Sequence, residues 1–319
     1  MTPNSRQAPR VVMAWLFLAL AAVLASAGPV AAGPGALRPP AIPARGAYLG
    51  AWVNPRALGN AGQDEPGLKE IGQLAPFNSA VGKPLAILHL FSHFHDPLPV
   101  QTLAAIEANG SIPLLNWSCA SLPEINSGRD DTQIAAFAHG VARFGKPLFL
   151  RWYWEMNLDD AAHKACGAAG DGPAFISAWR RIWNIFRQAG ATNAAFVWCP
   201  SARGDSTPYY PGDAYVDWIA ADKFDKKHHG QIAFAQLFGP FFASWASHDK
   251  PFMVGATGAQ SVDQAQFLQG IQKDLPARFP RIKAVIYFDA TGPKGDWSLQ
   301  GPGLAAFKAL AADPYFSVR

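Results

Sequence analysis

The chain has 319 residues, of which 50% are hydrophobic and 16% charged. That is enough apolar material for one large core and too little charge for a disordered chain or a coiled coil. The formal charge of +4 falls to +2 if everything before Gly28 is removed, because Arg6 and Arg10 go and no acid does. A near-neutral chain excludes nucleic acid as a partner, since binding to phosphates needs a basic face.

Arg6 and Arg10 precede an apolar run from Val11 to Leu24, and the small residues Ala25, Ser26 and Ala27 follow it. This is the layout of a secretory signal over residues 1–27, with an uncleaved membrane anchor as the alternative. The expectation is a secreted or periplasmic protein with no stable membrane insertion once the signal is cut. Residues 28–45 are rich in Pro, Ala and Gly without periodicity and read as an extended linker.

From residue 46 onward short apolar runs alternate with longer amphipathic ones. The expected strands are Tyr48 to Val53, Leu85 to Leu90, Ile112 to Trp117, Pro147 to Trp152, Ala194 to Trp198, Val216 to Ala221, Phe252 to Gly255 and Ala284 to Phe288. Helices are expected over Gln133 to Phe144, Phe175 to Ala189, Gln264 to Leu275 and Gly303 to Ala312, where apolar residues recur three and four apart. Gly110, Gly145 and Gly190 stand where left-handed helix caps would. Eight strands alternating with helices predict an α/β chain folded as one (β/α)8 TIM barrel over 46–319, monomeric. An open doubly wound sheet is the alternative, but no glycine-rich phosphate turn follows the first strand.

Of the three cysteines, Cys119 and Cys166 lie in segments that follow strands and form the candidate disulfide, whereas Cys199 sits against a strand and reads as buried and free. No cysteine spacing suits zinc, and neither His93 with His95 nor His228 with His229 has other ligands nearby. No metal and no cofactor are expected.

In a barrel the active face is built from the carboxyl ends of the strands. Trp52, Trp117, Trp152, Trp154 and Trp198 fall there, with Trp297, Tyr209 and Tyr210 in later loops. Indole rings at a barrel mouth suit the apolar face of a sugar, and packing as core caps is the competing use of each. Glu155 lies just past the fourth strand in RWYWEMN, between Trp154 and Asn157 and near Arg151. A carboxyl beside large rings loses hydration, which raises its pKa toward what a general acid needs, and an ion pair with Arg151 is the structural alternative.

RWYWEMN, the helix FISAWRRIWNIFRQAGATN, AAFVWCP, YYPGDAYVDWIAAD, KPFMVGATGA, and the late YFD with DW together resemble glycoside hydrolase family 26. The resemblance implies a barrel acting on β-mannan or β-glucan with two glutamates and retained configuration. It makes Glu155 the acid/base, Arg151 and Asn157 its supports, and Asp222, Trp297 and Asp289 sugar-site residues. Trp154 stands where the family commonly has histidine, and Phe224 where it has an aromatic hydroxyl. Ala256 occupies the nucleophile's place on the seventh strand.

The chain's five glutamates are Glu65, Glu70, Glu107, Glu124 and Glu155, so none follows the acid/base. Retaining chemistry needs a second carboxyl roughly 5 Å from the first, and alanine cannot form the glycosyl ester. Three readings remain open: a disabled hydrolase, a glycan-binding pseudoenzyme, or an inverting hydrolase using Asp222 or Asp205 as base.

Overall fold

The computed structural model describes residues 37–53, 68–168, 170–225, 233–260, 263–292 and 295–318. The expected signal segment and His228 and His229 lie outside these residues. Eight parallel strands close into a barrel in chain order: β1 (Tyr48–Val53), β2 (Ile87–Ser92), β3 (Ile112–Trp117), β4 (Leu148–Trp152), β5 (Ala194–Trp198), β6 (Trp218–Asp222), β7 (Phe252–Thr257) and β8 (Ile282–Asp289). Closure is made where Tyr48 to Val53 run in register against Ala284 to Asp289. Nine helices are described: α1 (Leu68–Val81), α2 (Val100–Ala108), α3 (Leu122–Ser127), α4 (Asp131–Phe144), α5 (Ala161–Cys166), α6 (Gly172–Gln188), α7 (Phe234–Ser244), α8 (Gln264–Arg278) and α9 (Gly301–Ala312).

Two periodicities build the core. Alternation along the strands turns Tyr48, Ile87, Leu114, Phe149, Val197, Trp218, Met253 and Ile286 into the barrel, among small Ala86, Ala195, Ala220 and Ala284. The outer strand faces meet helix stripes such as Phe175, Ala178, Trp179, Ile182 and Phe186 of α6, whose N-cap Asp171 accepts from the amide of Ala174 at 2.9 Å. Gly110, Gly145 and Gly190 take φ of 78°, 71° and 73°, the left-handed geometry expected of helix caps.

Differences from the sequence reading have local causes. Strand β2 runs two residues further than expected and β7 reaches Thr257, because polar or small residues near a site break the apolar run that marks a strand. Helix α7 is not among the expected helices; it carries Gly239 and Pro240, which are poor helix formers, and burial of Phe234, Phe238, Phe241 and Phe242 holds it helical. Part of the expected linker is packed on the barrel: the hydroxyl of Thr192 donates to the Leu37 carbonyl at 3.1 Å and that of Tyr48 to the Ala41 carbonyl at 2.9 Å. A disulfide joins Cys119, after β3, to Cys166 at the end of α5, with Cα atoms 5.9 Å apart, and Cys199 is buried and free. No described helix is long and apolar enough to cross a membrane.

Candidate active site

At the carboxyl ends of the strands lies a cleft of about 390 Å³, lined by Glu155, Arg151, Asp222, Ala256, Arg203 and Lys223 together with a wall of aromatic rings. Glu155 is placed by its backbone. It follows β4 in a tight turn and, with Tyr153, has a positive φ (54° and 48°), a conformation that costs about 1–3 kcal/mol for a residue with a side chain. The turn is held there on both sides. The amide of Tyr153 extends the ladder to the Trp117 carbonyl at 3.0 Å, and that of Glu155 reaches the Cys199 carbonyl at 2.8 Å. Asn157 accepts from the Ser201 amide at 2.9 Å and donates to the carbonyls of Ser201 and Arg203 at 3.0 and 2.8 Å. Asn157 therefore ties the turn to the loop after β5 and does not line the cleft.

Below Glu155 lies a buried polar chain. The guanidinium of Arg151, 1% exposed, donates to Asn116 Oδ1 at 2.5 Å and Asp222 Oδ1 at 2.8 Å, and reaches Cys199 Sγ at 3.5 Å. Burial works against the charge on Arg151, but Asp222, Cys199 and Glu155 outweigh it and raise its pKa. Burial likewise pushes the Asp222 carboxyl up, while Arg151, the Cys199 thiol and the Ala256 amide support its charged form. Beneath this pair, burial and Arg151 hold His89 well below its ordinary pKa, so its ring is neutral where it contacts Asn116. Gly255 on β7 makes the arrangement possible. A β-carbon there would stand 2.5–2.6 Å from Cys199 Sγ, Arg151 Nη1 and Asp222 Oδ1, closer than real contacts allow.

Ala256 pairs across the sheet with Asp222, at a point where the register of β6 on β7 shifts. It lines the cleft at 4% exposure. The aromatic wall runs through neighbouring rings: Trp154 to Phe91 (centroids 5.3 Å apart), Phe91 to Trp52 (5.6 Å), Trp52 stacked on Phe288 (4.5 Å), Phe288 to Phe224 (5.7 Å) and Phe224 to Trp297 (4.8 Å).

Several expected site residues lie elsewhere. Trp117 is fully buried outside the barrel, stacked between Phe94 and Phe137. Trp198 is equally buried, with its N–H donating to the Tyr209 carbonyl at 2.9 Å, and Trp152 stacks on Phe175. Tyr210 packs on Trp198 and Trp245 and donates to Asp213 at 2.5 Å. None of the four lines the cleft. Asp289 is buried under the loop that follows β8 and accepts the Leu299 amide at 2.7 Å, and burial raises its pKa to about 6. Asp205 is exposed, accepts from the Thr207 amide at 2.9 Å and is outside the cleft lining, so it is not placed as a base. Phe91, Phe288, Arg203 and Lys223 are cleft residues that the sequence reading missed. Among the described residues no group of three or more His, Cys, Asp or Glu converges as a metal site.

No protein-family model matches the chain. Over 82% of its length it is 26% identical to endoglucanase H of Acetivibrio thermocellus, and the match spans 30% of that protein. Over 39% of its length it is 31% identical to mannan endo-1,4-β-mannosidase A and B of Caldalkalibacillus mannanilyticus, covering 23% of that protein. The chain thus spans less than a third of these curated relatives. A family 26 β-mannanase from Bacteroides ovatus superposes with a TM-score of 0.61 at 14% identity, over 85% of this chain and 90% of that one. The fold is that of the family 26 β-mannanases. A β-mannanase from a protist symbiont of the termite Reticulitermes speratus, solved with a gluco-manno-oligosaccharide, superposes equally well, with a TM-score of 0.62 at 15% identity over 85% and 88% of the two chains. Within the family 26 fold, this chain's Glu155 and Ala256 stand at the ends of β4 and β7 and line one cleft.

Proposed function

We propose that the chain is an exported glycan-binding protein of retaining family 26 ancestry, which holds a β-linked polysaccharide of β-mannan or β-glucan type and lacks the nucleophile to cleave it. The observation that carries this reading is that Ala256, at the position the family resemblance gives to the nucleophile, lines the same cleft as Glu155 and has no carboxylate. Glu155 keeps the position of a proton donor. Its negative charge contributes to raising the pKa of the buried Arg151. A glycosidic oxygen brought to it could be protonated, but among the described residues that line the cleft no carboxylate besides the salt-bridged Asp222 is there to attack the anomeric carbon.

Among the described residues Asp222 is the one other carboxylate that lines the cleft, which supports a second reading as an inverting hydrolase. Its carboxyl is 2% exposed and engaged by Arg151, Cys199 and the Ala256 amide, so its lone pairs are committed to the protein rather than to a water.

The test uses the purified protein with and without azide, beside Ala256→Glu. Azide in the space at Ala256 can form a C–N bond to the anomeric carbon of an aryl β-glycoside as the aryloxide leaves with the C–O electron pair, giving the α-glycosyl azide. Turnover by Ala256→Glu, or azide-dependent turnover by the unmodified chain, supports the retaining ancestry. Hydrolysis with inversion by the unmodified chain alone, lost in Asp222→Asn, would establish the second reading. Failure to bind any β-mannan or β-glucan would sink both.

A further inference from the structure

The cleft has two unlike sides. In a closed eight-stranded barrel, strands four apart in order face each other across the axis, so β1 and β2 stand opposite β5 and β6. Trp52 on β1 and Phe91 on β2 belong to the aromatic wall. Arg203, in the loop after β5, and Lys223, one residue beyond β6, line the cleft from the other side. The ends of β5 and β6 are pinned together by the bridge of Ser201 with Asp222 and by the Ala202 amide donating to the Asp222 carbonyl at 3.0 Å. Lys223 Nζ donates to the Ala202 carbonyl at 3.4 Å, which brings it alongside the residue preceding Arg203. Asn157 fixes the Arg203 backbone through its carbonyl.

Among the described residues, the charges that line the cleft do not balance. Arg151 and Asp222 satisfy each other in a buried salt bridge. Arg203 and Lys223 line the same cleft as Glu155, and neither has a carboxylate partner among the described residues. The two cations act on each other: burial and the charge of Arg203 both lower the Lys223 pKa. A neutral sugar laid across the cleft would strip water from Lys223 and return no opposite charge, which is costly. A sugar bearing an anion would meet both cations with charge-assisted hydrogen bonds while its ring rested on the aromatic wall.

We propose that the cleft selects a polysaccharide containing hexuronic acid, with the C6 carboxylate of one unit held between Arg203 and Lys223. This rests on the reading of the cleft as a glycan site and narrows its ligand from neutral mannan or glucan to an acidic chain. The alanine at position 256 fits the same ligand, since a further acid beside Glu155 would repel it.

The experiment is isothermal titration of the full chain with mannohexaose and cellohexaose, each in its native form and with its C6 hydroxymethyl groups oxidised to carboxylates, at 20 and 300 mM salt. The expected result is at least tenfold tighter binding of an oxidised chain than of its native counterpart at low salt, with the preference shrinking at high salt. In Arg203→Gln/Lys223→Gln the ratio of oxidised to native affinity should fall to about one, whatever the change in native affinity. Equal binding of native and oxidised forms overturns the acidic ligand and leaves the glycan site standing, as does a preference that survives the double substitution. Absence of binding by all four oligosaccharides overturns the glycan site itself, and the acidic ligand with it.

Discussion

Replacing Arg151 by Met tests the buried polar chain under the site. The substitution keeps most of the side-chain volume and removes the charge, so the effect isolates electrostatics from packing. Asp222 then remains 2% exposed without its 2.8 Å partner, and Asn116 loses a 2.5 Å donor. Breaking a buried pair by removing one member costs about 3–5 kcal/mol. For a domain of this length, at about 2 °C per kcal/mol, that lowers Tm by about 6–10 °C. The pH dependence carries the diagnosis. Without Arg151 the Asp222 pKa climbs further above its unfolded value, so the neutral carboxyl is the form that the folded state tolerates. A group raised in this way contributes its stability below the unfolded pKa and loses it as pH rises through the folded one. The deficit of Arg151→Met against the parent should therefore be largest above pH 7 and shrink toward pH 4, and adding Asp222→Asn should remove most of it. Thermal unfolding followed by circular dichroism from pH 4 to 8 measures all three proteins. A deficit under about 1 kcal/mol, or one that does not change with pH, would refute the account of Asp222 as a charge held by Arg151.

Two further predictions concern the ligand wall and the end of β8. Trp154→Ala should weaken oligosaccharide binding by about 1–3 kcal/mol in titration, whereas Trp198→Phe should lower stability and leave affinity unchanged; the reverse pattern would put the sugar at the wrong ring. Asp289→Asn keeps the acceptor for the Leu299 amide and removes a carboxyl whose pKa is raised to about 6. The parent's burden at that position appears as pH rises from about 4 to 6 and persists above, so the variant should gain up to about 2–3 kcal/mol at pH 7 and nothing at pH 4. A gain that is the same at both pH values would assign it to packing.

The barrel was legible in the sequence because each strand buries both faces and each long helix repeats its apolar stripe. The cleft was legible only in part, and strand parity explains why. On β3, β4 and β5 the inward positions are Leu114 and Asn116, Phe149 and Arg151, and Val197 and Cys199. Trp117, Trp152 and Trp198 alternate with these and must point outward toward the helices. On β1 the inward series through Tyr48 reaches Trp52, on β2 the series through Ile87 reaches Phe91, and on β8 the series through Ile286 reaches Phe288. Counting in twos from the apolar interior separates ligand-facing rings from core rings, whereas nearness to a strand end does not. Ala256 escapes the count, because register shifts where β7 meets β6 and β8 turn it toward the cleft beside the inward Gly255. Arg203 and Lys223 carried no such signal, since lone basic residues after strands are ordinarily solvated.

The left-handed backbone at Glu155 bears on the use of its side chain. Glycine would adopt a φ of 54° without steric cost, and asparagine more readily than glutamate. Drift in a protein with no use for the carboxylate would run toward those residues, each step gaining stability. A glutamate at that φ carries a backbone cost that glycine would remove, so its presence there points to a use for the carboxylate. Glu155→Gly should therefore yield a more stable protein that is worse at whatever the cleft does.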